Sequence, residues 1–251
     1  KIADQNGLVL IEDNAQAPAA LFSNQYAGTI GDMGVFSLNR HKTMQCGEGG
    51  VVICDQEFYA HKLRMVRNHG EAVLLERPDS EYQLGDERVI GFNYRLTSLQ
   101  AAVALPQFNR LDELNSIRIE LANYLTICLS EFNFLQTVTI RKNCTHVFYL
   151  YPILFNAEIA GMTRDQFLIA MQREGAPVAN YSRPLHQLPI YAVRSGRPEL
   201  YCPEKFPMVE HYWKESMVVT SICRPPLDKG HIDLFIEAIR KVKNDSDSIS
   251  K

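Results

Sequence analysis

The sequence predicts an α/β layer followed by a smaller α+β domain. Three observations carry that reading. Short apolar runs at residues 8–11, 35–38 and 51–54 flank a helical period over residues 56–68, the alternation expected of strands and helices packed in layers. The first run, Leu8-Val9-Leu10-Ile11, ends in Glu12-Asp13. A continuous apolar run reads as a fully buried strand, and acids at its carboxyl end lie where ligands of parallel sheets collect. Beyond a long helical stretch, strands and helices are sparser, at residues 147–155, 163–175, 217–221 and 230–242.

Each element has a local reason. Residues 1–7 read as the last turn of a helix, with Gly7 as its stop, and a preceding N-terminal piece is expected to be absent. Residues 46–50, Cys-Gly-Glu-Gly-Gly, form a tight turn that needs glycine backbone freedom. Residues 51–54 read as a second buried strand, and the helix over residues 56–68 closes at Gly70. Residues 71–92 are mostly polar and read as a long loop, a kind of segment that is often functional. Thr97-Ser98-Leu99-Gln100 has capping-box spacing and opens a helical pattern running to about Phe132. Pro106 is expected to kink or divide that pattern. The domain boundary is placed near Asn115, giving 1–115, 116–243 and a frayed polar tail over 244–251. Thr163-Arg164-Asp165-Gln166 is a second capping box, whose helix stops at Gly175.

Bulk properties narrow the function. The 251 residues are 46% hydrophobic and 22% charged, with a net charge of −3, the balance of a globular chain that buries a core. No basic run stands out, which argues against nucleic acid as a main partner. No stretch of apolar residues is long enough to span a bilayer, and no signal peptide is read. The six cysteines include no Cys-x-x-Cys pair and no zinc-finger spacing, so they read as reduced thiols of a cytoplasmic protein.

Asp13, Gln16, Ser37 and Lys42 stand near predicted strand ends. A Schiff-base enzyme needs a lysine that can bond to a cofactor aldehyde. Pyridoxal 5′-phosphate (PLP) also needs an acid beside its ring nitrogen, and hydroxyls or backbone amides for its phosphate. Taken alone, these residue types are commonplace, and a lysine after a strand is usually a solvated surface group.

Their arrangement is more specific. The stretch I-E-D-N-A-Q-A, followed by G-D-M-G-V-F-S-L-N-R-H-K-T-M-Q-C-G-E-G-G, resembles the DegT/DnrJ/EryC1/StrS family of PLP-dependent sugar aminotransferases. So do R-N-H-G at residues 67–70, G-F-N-Y-R-L-T-S-L-Q-A-A at 91–102 and R-P-L-H at 183–186. The resemblance implies an aspartate-aminotransferase-type (fold type I) enzyme with part of the large domain present. It implies transfer of an amino group, from glutamate in the first instance, to a nucleotide-linked 3-keto or 4-keto sugar. It also implies a homodimer with shared active sites. By position, Lys42 would hold PLP and move protons, Asp13 would pair with the pyridine nitrogen, and Gln16 would lie beside the ring oxygen. Ser37 would bind phosphate, Asn93 would reach the phosphate of the neighbouring subunit, and His186 would face the sugar.

Each assignment has a structural alternative: a helix cap for Asp13, a surface amide for Gln16, a hydroxyl bonded to its own backbone for Ser37, a loop cap for Asn93 and a buried, satisfied histidine for His186. Glu48 is expected to hold the turn after Lys42. Asn39-Arg40-His41 before the lysine departs from the usual family pattern. A branch of the family carries histidine in place of the lysine and dehydrates sugars, but the fifth residue after Ser37 is Lys42, which favours transamination. Other readings left open are a PLP-dependent dehydratase, a cyclitol aminotransferase and a truncated, non-catalytic dimerising relative. Without the family's front segment, the 251 residues are expected to bind PLP poorly and to aggregate.

Overall fold

The computed structural model describes residues 1–71 and 89–245. Most of the predicted loop at residues 71–92, and the end of the tail, therefore lie outside the described residues. The chain divides into two compact units, Lys1–Glu113 with Arg141–Val147, and Leu114–Ile140 with Phe148–Lys251.

The first unit opens with a short helix, α1 (Ile2–Gln5), that ends at Gly7 with a positive φ of 62°. Its sheet contains β1 (Ile11–Asp13), β4 (Met33–Ser37) and β5 (Gly50–Ile53) in the order β1-β4-β5. A small hairpin, β2 (Leu21–Phe22) and β3 (Gln25–Tyr26), stands apart. β1 runs parallel to β4 with Asp13 opposite Val35, and β4 runs antiparallel to β5 with Phe36 opposite Val51. Helix α2 (Glu57–Arg67) is closed by Gly70, whose N–H donates to Met65 O. Helix α3 (Ser98–Phe108) opens with the predicted capping box, Thr97 accepting from the Gln100 amide. Pro106 lies inside α3, and the helix ends two residues later. The pattern is thus divided, as a residue with no amide hydrogen and a clash with the preceding turn requires. Helix α4 (Leu111–Leu129) resumes it.

Two expectations are corrected here. Leu8, Val9, Leu10 and Ile11 are exposed rather than buried, at 60%, 48%, 45% and 57%. Val51, Val52 and Ile53 are exposed too. β1 and β5 are the two edges of a three-stranded sheet among the described residues, so each is paired on one side only. Apolar composition records what would gain from burial and does not record what covers it.

The second unit closes its own core. Its sheet has the order β6-β7-β9-β8, from β6 (Leu135–Thr137), β7 (Tyr151–Phe155), β8 (Val178–Ala179) and β9 (Met217–Thr220), all antiparallel. Between these strands lie α5 (Ala157–Ala160), α6 (Arg164–Arg173), α7 (Pro189–Ser195) and α8 (Pro207–His211), and α9 (Lys229–Asn244) ends the fold. Leu125 and Leu129 from α4, Phe167 and Met171 from α6, and Ile232 and Ile239 from α9 meet Ile153 and Val218 of the sheet in one buried cluster. Thr163 caps α6 as predicted. The apolar run at residues 147–155 becomes strand only from Tyr151, because Phe148 has a positive φ of 47°. Val147 and Phe148 are buried all the same. No helix among the described residues is long and apolar enough to cross a membrane.

Candidate active site

β1 and β4 place two of the predicted residues side by side. In a parallel pair, residues in register point to one face, and side chains along a strand alternate. Asp13 is in register with Val35, and Ser37 follows Val35 by two, so Asp13 and Ser37 share a face at the carboxyl ends of adjacent strands. Glu12, Gly34 and Phe36 occupy the opposite face.

That opposite face is the scaffold. The Glu12 carboxylate accepts from the backbone amides of Gly28 (2.8 Å), Ile30 (2.7 Å) and Gly31 (2.6 Å). Desolvation pushes its pKa up, but the amides of Gly31, Gly28 and Ile30 together hold it below the usual carboxylate range. The chain at residues 28–31 therefore lies tight against the sheet. A Cβ on Gly34 would run into the backbone of Gly28, and one on Gly28 would meet the Phe36 ring. Phe36, Val51 and Ile53 of the same face line an apolar hollow of about 530 Å³ with Met44 and Phe108.

The lysine loop joins β4 to β5. Leu38 N donates to Gly49 O, Arg40 N to Gly47 O, and Lys42 N to Asn39 O at 2.9 Å. Asn39 organises the turn, donating from Nδ2 to Glu48 Oε1 (2.8 Å) and accepting at Oδ1 from His41 N (3.1 Å). Glu48 thus braces the turn after Lys42. Helix α3 clamps the far side: Gln107 accepts from Gln45 N (3.1 Å) and donates to Gln45 O (2.8 Å), while Gln100 Nε2 donates to Glu48 O. Lys42 is half-buried at the tip of this braced loop.

The other side chains are placed as follows. Asp13 Oδ1 accepts from Ala15 N at 3.0 Å, a local turn with no helix behind it, so the helix-cap alternative does not hold. Gln16 is exposed in that turn. Ser37 Oγ accepts from Asn39 N at 3.2 Å, which leaves the hydroxyl hydrogen to donate. Asn93 is exposed and bridges Asn68 in a short antiparallel pairing, beside the stacked rings of Phe92 and Tyr94.

His186 belongs to the second unit. Its ring stacks on Phe206 and its Nε2 lies 2.6 Å from Glu210 Oε1. Gln187 Nε2 and Lys214 Nζ approach the same carboxylate. Gln187, then Lys214 and His186, hold the Glu210 pKa down at about 2 against desolvation.

The donor set suits an anionic, aldehyde-bearing cofactor: a lysine on a braced loop, and an acid and a hydroxyl on one face at the strand ends. Thr43, next to the lysine, has a buried Oγ1 with no hydrogen-bond partner among the described residues. Sequence reasoning missed Glu12 and Gln107. Only the Gly28-x-x-Gly31 spacing hinted at the loop that Glu12 gathers.

The architecture is that of the fold type I, PLP-dependent aminotransferases, and an aminotransferase from Psychrobacter cryohalolentis shares it. That structure is 22% identical, with a TM-score of 0.81 over 97% of this chain and 64% of the other. The chain belongs to the DegT/DnrJ/EryC1/StrS aminotransferase family, whose sequence profile matches residues 1–239; the family's cofactor is PLP. Spore coat polysaccharide biosynthesis protein SpsC of Bacillus subtilis is 27% identical over 98% of this chain and 62% of its own length. GDP-perosamine synthase of Caulobacter vibrioides is 29% identical over 76% of this chain and 50% of its own length. The chain therefore spans about six-tenths of the length of SpsC.

Proposed function

We propose that the protein is a PLP-dependent sugar aminotransferase that moves an amino group from an amino acid, glutamate in the first instance, to a nucleotide-linked keto-sugar. One observation carries the reading: Lys42 sits on a braced loop just beyond Ser37, while Ser37 and Asp13 share one face at the ends of adjacent parallel strands. Family membership supports the reaction class. The relatives named for GDP-perosamine and for spore coat polysaccharide support a nucleotide-linked sugar of polysaccharide biosynthesis as acceptor.

When bound, PLP supplies an aldehyde that condenses with amines and a ring that takes up carbanion charge. In this reading residues 1–115 carry the cofactor and residues 116–243 form the small domain. Lys42 would hold the cofactor through its amine and, as a free amine, would take the proton from the donor's Cα. Asp13, an acceptor at the strand end, would keep a proton on the ring nitrogen. Ser37 would donate its hydroxyl hydrogen to the phosphate, and Gln16 would lie beside the ring oxygen. His186, with Nε2 directed at Glu210, would offer its other ring nitrogen to the sugar. Asn93 would complete the phosphate site of a second copy, making the enzyme a homodimer with shared sites.

Absorbance spectroscopy tests the proposal. Added PLP should give a visible band near about 400 nm, the region expected of a lysine Schiff base, and glutamate should bleach it. The Lys42→Ala variant should lack both the band and turnover. Repeated turnover by that variant, or a band that survives the substitution, would defeat the assignment of Lys42.

A further inference from the structure

Three side chains of the second unit converge on one carboxylate. Glu210, whose side chain is 9% exposed, has His186 Nε2 at 2.6 Å and Gln187 Nε2 at 2.6 Å, both at Oε1, while Lys214 Nζ pairs with Oε2 at 2.9 Å. The lysine is itself held from behind. Tyr212–Ser216 is a π-helical turn, a rare form that often marks functional sites. The buried Arg164 guanidinium donates to the carbonyls of Trp213 (3.0 Å), Lys214 (2.6 Å) and Met217 (2.8 Å) around it. Phe206 stacks on the His186 ring, with centroids 4.3 Å apart and planes 17° apart. The hydrogen bond fixes the ring within its plane, and the stack fixes the plane. A buried ion cluster of this kind is weak evidence of a stabilising role, because apolar side chains of similar volume usually serve stability as well.

The cluster also decides which ring nitrogen carries hydrogen. Gln187, then Lys214 and His186, keep Glu210 ionised, and a carboxylate can only accept. Nε2 must therefore donate, and in the neutral ring Nδ1 carries the lone pair. Nδ1 has no hydrogen-bond partner among the described residues, yet it is not one of the side-chain atoms sealed from solvent without a partner. It is the ring nitrogen left open to a ligand. We infer that Glu210 is a positioning residue for the acceptor sugar, locking His186 as the Nε2–H tautomer so that Nδ1 accepts a hydrogen bond from a sugar hydroxyl. The inference rests on the proposed function, in which His186 meets the sugar, and adds to it the direction of the bond and the group that sets it. A hydroxyl can donate to Nδ1 and a ketone or ether oxygen cannot, so the acceptor carries a free hydroxyl at that point.

The test uses the full chain as wild type, as Glu210→Met, which keeps a side chain of similar length without the carboxylate, and as Glu210→Gln, which keeps one oxygen to accept from Nε2. Nitrogen NMR of protein carrying isotope-labelled histidine reads the tautomer at about pH 8, where an ordinary histidine is neutral. The His186 signals are assigned by their absence from His186→Asn. Wild type should carry its hydrogen on Nε2 alone, and Glu210→Met should show both tautomers. The band of the PLP form is then bleached in two ways. Glutamate does so as donor, and GDP-perosamine does so by passing its amino group to the cofactor and leaving as the keto-sugar. Glu210→Met should need about ten- to a hundredfold more GDP-perosamine to reach half its maximal rate, and Glu210→Gln less than that. The shift with glutamate should be at least about tenfold smaller than the shift with GDP-perosamine.

A hydrogen on Nδ1 of wild-type His186 would overturn the inference without recourse to any variant, and would leave the Lys42 reading intact. So would equal shifts for glutamate and GDP-perosamine in Glu210→Met, which would show a role in the fold alone, or no shift for either. A wild-type chain bleached by glutamate and untouched by GDP-perosamine would remove the sugar reading and this inference with it. A wild-type chain that gives no band with PLP would overturn the proposed function as a whole.

Discussion

The two units solve the same problem differently. In the second, β7 alternates buried and half-buried residues, and the last three residues of β9 are buried, with Val218 in one cluster with α4, α6 and α9. In the first, every residue of β5 is exposed, and β1 shows the same leaning. The first unit is held instead by backbone-level devices: the Glu12 carboxylate on three amides, the Gly28–Gly34 approach, and the Gln107 clamp. A unit held by polar contacts and close backbone packing can position side chains finely around a loop. A unit held by a closed apolar core mainly resists unfolding. The proposed cofactor residues all fall in the former.

The sharpest way to break this contrast is to cut one strong apolar contact in each unit. Phe167 is 2% exposed and stacks on Phe155 at 4.9 Å. Phe167→Ala should cost about 3–5 kcal/mol, whereas Val52→Ala, at 43% exposure, should cost less than about 1 kcal/mol. Urea unfolding followed by Trp213 fluorescence and by far-ultraviolet circular dichroism measures both. Similar losses would mean that β5 is as well covered as the second core.

A smaller effect separates two kinds of glycine. Gly34→Ala drives a methyl into the Gly28 backbone and should cost about 1–3 kcal/mol. Gly161 meets nothing within 4 Å but has a φ of 73°, so Gly161→Ala should cost about 1 kcal/mol through backbone strain alone. The ranking of the two thermal midpoints checks this. A milder Gly34→Ala would remove the close approach as a cause of the first unit's order.

The smallest effect is electrostatic. Glu12 and Glu210 both have pKa values below the ordinary 4.5, Glu210 at about 2. A carboxyl whose folded pKa is depressed contributes stability above its unfolded pKa and loses it as pH falls through the folded value. The Glu210 contribution should therefore fade between pH 4.5 and about 2. Glu210→Gln should flatten the acid limb seen by Trp213, and Glu12→Gln should leave that limb unchanged. A flattened Trp213 limb in Glu12→Gln would show that the two units do not respond separately to acid.

Much of the architecture was legible because its signals are local. The capping boxes at Thr97 and Thr163 depend on residues three apart, and the break after Pro106 depends on one missing amide hydrogen. The true start of α9 was missed by one residue, although Asp228 caps it through the His231 amide. β6 and β8, with three and two residues, are too short to show a period and exist through their partners. The types of the site residues were legible, yet the shared face of Asp13 and Ser37 follows only from strand register. Glu12 gathers amides 16–19 residues away and Gln107 reaches across 62, distances over which no sequence period operates. The exposure of residues 8–11 was illegible for a different reason: a side chain's hydrophobicity says nothing about its neighbours.

The Gln107 clamp also sets where the lysine loop can tolerate substitution. It reads only the main chain of residue 45, through one N–H and one carbonyl. So far as the clamp is concerned, the side chain at 45 is interchangeable, while the amide at 107 is not: glutamate there could accept but not donate, and methionine could do neither well. Tolerance at the loop is thus purchased by intolerance in a helix next to Pro106, and a substitution in α3 would be felt first as a displaced lysine.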